Sequence, residues 1–556
     1  MHFQVATPNH SAPKPSSLRE KRQLILDDLR EPGDIFQQQS FRRVYTPDYG
    51  TVYASAGPLY ANAVFGRDSI EVAEDLLELA PTLARDTILV LARLQGTQHR
   101  RTSDEQVGRI HHEHRMSDII NTDVAGKSKE IFEQISQDWG GDHHTVTYYG
   151  SLDATPLFIR LVCNYCLNYG SDFLETTFIN KDGVESTVEE SLKLALHWVV
   201  KRLDGSRSGF IEYNQASHDR YVGSHTWKDS QTAYIRKDGS VINYYEGFPT
   251  IEVQAYAYDA LILAAQVLHN KLPSLAKFWQ GRAADIQEKI IEHFWIEDSK
   301  YFASVLEYNH EADPKAVKVL TSSPATMLDT KIFDDEKLAS TYIEPVVRSI
   351  FSDDMLSDIG VRCRALRHAN LIPYADYHGS LVSWPKETYD IAKGLHSYGL
   401  HRLAQQLENR IVNGVLLSGD FYEFFYVDRY GRVDYDPQNI NGISRHRQKL
   451  VATNVPEPGQ AWVISAVLSI AANRSSPSVS MVPDRSSWQF DLEEDILSKM
   501  EQQAILTDLD EIEARYPKTY SFSINIRKGK RVARKHFKRL EKDLAVRRAK
   551  IDRRGK

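Results

Sequence analysis

At 556 residues, 42% of them hydrophobic, the chain is long and apolar enough to bury a large core. Its net charge of −7 comes from 68 basic and 75 acidic side chains, a near balance that singles out no polyionic partner. Three cysteines, Cys163, Cys166 and Cys363, are too few for a disulfide framework and point to a reducing cytoplasm; no apolar run reaches the ~20 residues of a membrane span.

Residues 1–44 read as a polar leader, partly disordered and without the apolar stretch of a secretory signal. From there to 475 the pattern is helical. Ser69–Leu77 has helical apolar spacing, and Pro81 restarts a helix that stops at Gly96. Further helices are predicted at about 152–169, 188–203, 250–269, 273–296, 335–350, 386–398, 400–414 and 458–473. Many are apolar on more than one face, as helices buried between neighbours are. Cys163 and Cys166 form a C-x-x-C inside one of them, with no second ligand pair, and read as packed thiols with no metal or cofactor implied.

Irregular stretches at 96–150, 204–249, 352–385 and 417–457 separate the helices and are rich in Gly, Tyr, Trp, His and Asp. Loops of that length in a compact domain are usually functional. Paired helices with elaborated loops suggest an all-α toroid of six helical hairpins, an (α/α)6 domain over 45–475. One β-hairpin is expected at KYFASVLEY and AVKVLT. Residues 476–556 form a charged extension outside that domain, ending in a basic tail from Arg527. The tail reads as a solvated appendage, or else as a contact for an anionic polymer, a membrane surface or a protein partner.

Acids beside aromatics recur where these loops meet helices. Arg67 and Asp68 open the first helix, and the pair could hold sugar hydroxyls or cap the helix. Arg109–Arg115 holds three histidines around Glu113, without the spacing of a zinc motif, so Glu113 faces substrate or braces the loop. Tyr149 and Asp153 stand at the next helix start. Asp229 lies two residues from Trp227, a setting that could raise a carboxyl pKa and suit a general acid. Glu252 and Gln254 follow a Tyr-rich loop, and His378 and Trp384 lead into another helix. Glu423 sits among four aromatics, where an unpaired carboxylate needs a reason. Gly459-Gln460-Ala461-Trp462 heads the last core helix. Together these loops supply the acids, aromatic faces and fixed polar groups that cleavage of a glycosidic bond requires.

The set F-G-R-D-S, R-I-H-H-E-H-R, Y-Y-G-S-L-D-A-T-P-L-F, T-W-K-D-S, E-V-Q-A-Y, Y-H-G-S-x-x-S-W-P and Q-A-W, in this order over about 45–475, resembles the amylo-α-1,6-glucosidase family. That family is the catalytic C-terminal module of glycogen debranching enzymes, and it is distantly similar to glucoamylases with their (α/α)6 toroid. The resemblance implies Asp229 as general acid, Glu423 as general base, Arg67 and Asp68 gripping the terminal glucose, and Trp384 lining the pocket. It also implies inversion, with the two carboxylates roughly 6.5–9.5 Å apart. The match around Glu423 lacks the family's preceding Pro, which leaves Glu457 as a rival base. No transferase domain accompanies the glucosidase-like part. The expected substrate is therefore an α-1,6 branch of a glycogen- or dextrin-type glucan, or a small α-glucoside such as trehalose or glucosylglycerate. A non-catalytic glycan-binding protein is the contrasting class.

Overall fold

The computed structural model describes residues 17–554 except 31–32, 118–124, 143, 214–224, 245, 309–312, 433–448, 476–486, 501–508 and 511–522. Helices dominate it. They are α1 (Leu18–Arg30), α2 (Gly66–Asp75), α3 (Pro81–Arg93), α4 (Ala125–Trp139), α5 (Ala154–Tyr169), α6 (Val188–Asp204) and α7 (Ile251–Leu268). After these come α8 (Pro273–Phe294), α9 (Glu336–Ile350), α10 (Pro385–Ser397), α11 (His401–Ser418), α12 (Ala461–Ser475), α13 (Ser487–Ser498) and α14 (Ile526–Arg554).

Their packing closes a ring. α2 lies against α5, α5 against α7, α7 against a short 3-10 helix at Ser323–Asp329, that helix against α10, α10 against α12, and α12 against α2. Outside this ring α3 backs α2, α6 backs α5, α8 backs α7, α9 backs the 3-10 helix, and α11 backs α10. α1 backs α12 and supplies the outer member of the sixth pair. The fold is thus an all-α toroid of six helical pairs. The ring helices are apolar on most faces because they have neighbours on most faces; along α7 every residue from Ile251 to Leu261 is buried. One core cluster runs through all six pairs.

Both chain ends differ from the sequence expectation. Part of the supposed leader is α1. Its Arg22 donates to the carbonyls of Leu416 and Leu417 at 2.8 and 2.9 Å, satisfying acceptors that the C-terminal turn of α11 leaves open. Residues 1–16 lie outside the described part. The C-terminal extension is not separate either. Glu493 of α13 accepts from the backbone N–H groups of Arg402 and Leu403 and so caps the start of α11. α14 turns Val532, Ala533 and Phe537 towards Ile235, Ile372 and Tyr374. Its Arg527, Lys528, Lys530, Arg531, Arg534 and Lys535 face solvent. The expected hairpin is present, with Leu306–Glu307 pairing antiparallel with Lys315–Ala316. α4 falls inside a stretch read as loop. All three cysteines are buried free thiols. Among the described residues no helix is long and apolar enough to cross a membrane.

Buried ion pairs tie the inner ring together below the level of its helix starts. Arg160 of α5 meets Glu74 of α2, Asp259 of α7 and Asp329 of the 3-10 helix. Lys393 of α10 meets Asp75 and Asp329, and Ser465 of α12 donates to Asp75 at 2.8 Å. Removing one cation from such a set leaves buried carboxylates uncompensated. Arg160→Met is therefore expected to lower stability by about 3–5 kcal/mol in urea unfolding at pH 7. A loss below about 1 kcal/mol, the scale of an exposed pair, would mean that Arg160 neutralises nothing essential.

Candidate active site

The candidate residues gather where the inner elements begin. Arg67 and Asp68 lie in the first turn of α2, Asp153 precedes α5, Thr250 and Glu252 flank the start of α7, Trp384 precedes α10, and Gln460 precedes α12. Helix N-termini carry partial positive charge, so a ring of them suits a site rich in carboxylates.

Arg67 stands between two acids. Its Nη1 donates to Asp153 Oδ2 at 3.1 Å, and its Nη2 lies 3.7 Å from Asp68 Oδ2. Burial raises the Asp68 pKa to about 6 against the pull of Arg67, and Gln460 donates to its other oxygen at 3.4 Å. Beside this triad lies an aromatic layer. Trp384 packs edge-on to Trp227 at 5.3 Å and to Trp462 at 6.0 Å, and His378 stacks on it at 5.2 Å. His378 is buried and held neutral, since burial and nearby cations lower its pKa well below the usual value; its Nδ1 accepts from the Ser230 N–H at 3.4 Å.

A small cavity is lined by Arg67, the three tryptophans, Glu71, Lys386, Glu387 and Asp390. Buried ion pairs of Lys386 with Glu71 and Asp390 form its floor. Neither Asp229 nor Glu423 lines it. Asp229 is open to solvent and Glu423 half-buried.

Asp229 sits on the loop after Trp227, with Lys228 turned inward to pair with Glu387 at 3.0 Å. Although the Asp229 side chain is accessible, the loops crowded around it thin its water shell and raise its pKa; a hydrogen bond from Tyr377 and the charge of Arg67 pull the other way. Glu423 is carried just before Phe425–Tyr426, a strand pair with Val382–Ser383 that also fixes Trp384. Desolvation, followed by the charges of Glu457 and Asp229, raises the Glu423 pKa to about 8. Glu457, the sequence's rival, is placed differently. It is 5% exposed, and its Oε2 accepts from the Leu59 N–H at 3.3 Å and lies 3.5 Å from the Ser55 hydroxyl. A Cβ on Gly57 would fall 1.9 Å from that oxygen, so a side chain there would push the Glu457 carboxylate aside.

Three expected substrate contacts have other partners. Tyr149 donates its hydroxyl to the Leu94 carbonyl at 2.7 Å, and the Gln254 amide is spent on Ile211 and Thr250. Both are braces. Glu113 pairs with Arg115 in a strand between Ala63–Phe65 and Thr145–Tyr148. Glu252 is 1% exposed, and burial raises its pKa to about 7. Among the described residues no group of His, Cys, Asp and Glu is arranged to hold a metal ion. The sequence reading passed over Lys386, Glu71 and Asp390. Their signal is charge at i, i+4 spacing on helices that otherwise bury every face.

No protein-family model matches the sequence, and no curated relative is found. Among solved structures, the chain is similar to an uncharacterized conserved protein from Thermus thermophilus, at 14% identity and a TM-score of 0.48, over 82% of this chain and 100% of that one. It is also similar to a GH63 mannosylglycerate hydrolase from the same organism in complex with Tris, at 12% identity and 0.48, over 82% and 100%. A third is a wild-type glycosidase, at 12% identity and 0.45, over 82% and 98%.

Proposed function

We propose that this chain is an inverting glycoside hydrolase that releases glucose from the non-reducing end of an α-glucoside, with Asp229 as general acid and Glu423 as general base. The observation that carries the reading is a pair of carboxyls near enough for the Asp229 charge to raise the Glu423 pKa, on the loops that carry the tryptophan layer. Beside them the Arg67–Asp68–Asp153 triad offers charged groups for sugar hydroxyls. In the proposed reaction Asp229 gives its proton to the glycosidic oxygen as the bond to the anomeric carbon breaks. Glu423 takes a proton from the water that attacks the opposite face.

The pairing of Lys386 with Glu71 and Asp390 in the cavity lining favours a substrate that presents a terminal sugar unit over a glucan threaded through the toroid. That supports action on chain ends, including α-1,6-linked branch stubs. It equally supports a compact α-glucoside, whose whole length fits within small-molecule dimensions.

Single displacement requires that an α-glucoside release β-glucose first. Proton NMR during the first minutes of hydrolysis of isomaltose or 4-nitrophenyl α-D-glucopyranoside should show the β-anomer leading. Initial accumulation of α-glucose would overturn inversion, and no glucose from either substrate or from trehalose would overturn the glucosidase reading.

A further inference from the structure

The Asp229 carboxylate has one side-chain donor whose placement is over-determined. The Tyr377 hydroxyl donates to Asp229 Oδ1 at 2.7 Å. Its ring lies between His378, at 4.3 Å, and Phe424, at 6.1 Å, and its carbonyl accepts from Trp384 Nε1 at 2.6 Å. The preceding residue rivets the two loops together. Asp376 Oδ2 accepts from Ser230 Oγ at 2.8 Å and from Thr232 Oγ1 at 2.7 Å, both on the loop that carries Asp229. Further out, Ala375 donates to Val451 at 2.7 Å, and the strand Lys449–Leu450 pairs in parallel with Ser523–Ile524 just before α14. α14 then crosses so closely that a Cβ on Gly529 would fall 1.7 Å from the Ala452 carbonyl oxygen. The C-terminal extension therefore braces the Tyr377 loop from behind.

We infer that Tyr377 is the positioning residue of the acid: by holding Oδ1 of Asp229 it leaves Oδ2 to carry the proton towards the departing oxygen. The inference rests on Asp229 being the acid. Tyr377 keeps its own proton throughout; the transferred proton moves from Asp229 Oδ2 to the glycosidic oxygen. A donor to Oδ1 also favours the ionised carboxylate, and it does so amid competing groups. Arg67 at the start of α2 favours ionisation too, while Asp376 on the loop opposite and the nearby Glu423 oppose it. Tyr60 reaches the same space from the loop over Glu457.

Tyr377→Phe keeps the ring contacts and removes only the donor. In full-length protein labelled with carboxyl-13C aspartate, the Asp229 signal is identified by its loss in Asp229→Asn. Its titration in Tyr377→Phe should move up by about one pH unit, the scale of a hydrogen bond to a charged group. Since the acid must be protonated to act, the pH profile of kcat/KM should move with it. At pH 7 kcat on isomaltose should fall about tenfold, and on 4-nitrophenyl α-D-glucopyranoside by less, because its leaving group needs protonation less. An unmoved Asp229 titration, or an equal loss at every pH and on both substrates, would make Tyr377 a packing residue only. If the wild-type protein cleaves neither sugar, the glucosidase reading fails, while the Asp229 titration still decides whether Tyr377 governs that carboxyl.

Discussion

Asp229→Asn is expected to lower kcat on isomaltose or maltose by about 10²–10⁴-fold, the usual worth of a positioned proton donor. The amide keeps the shape of the carboxyl but has no proton to give to the leaving oxygen. The fold should survive: Asp229 is open to solvent, and its side-chain bond is to Tyr377. An unchanged thermal transition would confirm that. α-Glucosyl fluoride, whose leaving group departs without strong protonation, should lose far less. A second signature follows from electrostatics. The Asp229 charge contributes to the raised Glu423 pKa, so removing it should let Glu423 ionise at lower pH. The acidic limb of kcat/KM on the fluoride should then shift downward. Full activity on isomaltose would remove Asp229 from the acid role.

Apart from α1 and α4, the helices up to 475 were legible in the sequence to within a few residues, because inner helices with apolar residues on most faces and Pro-started outer ones are strong local signals. What closes the ring was not. The 3-10 helix Ser323–Asp329 is too short to show a period, yet it takes a full place between α7 and α10. α1 pairs with α12 across more than four hundred residues of chain, and its polar surroundings disguised it as leader. The site followed the same division. The placement of Arg67, Asp68, Asp153, Trp384 and Gln460 was legible because each marks a helix start, a local feature. Tyr149 and Gln254 also sit beside helix starts but brace the scaffold, and local sequence does not separate the two cases. The bond from Tyr377 to Asp229 joins loops 148 residues apart, so no motif announces it.

The choice between Glu423 and Glu457 turns on what each carboxylate has to give up. Glu457 is already engaged with Leu59 and Ser55, whereas Glu423 is half-buried and within reach of the Asp229 charge. Glu423→Gln is accordingly expected to cost about 10²–10⁴-fold on every substrate, the fluoride included, because activating water does not depend on the leaving group. It should also change stability with a definite sign. The folded-state pKa of about 8 lies above the ordinary 4.5, so the native state binds the extra proton. The stability contributed by that proton is complete below about pH 4.5 and is lost as pH rises through about 8. Glutamine, neutral throughout, avoids the loss, so Glu423→Gln should gain on the wild type by about 1–3 kcal/mol between pH 5 and pH 9. Glu457→Gln should behave differently. It removes the charge that, after desolvation, does most to raise the Glu423 pKa, so activity should persist with its acidic limb moved to lower pH. Loss of activity in Glu457→Gln alone, with Glu423→Gln still turning over isomaltose, would transfer the base to Glu457 and sink the assignment of Glu423.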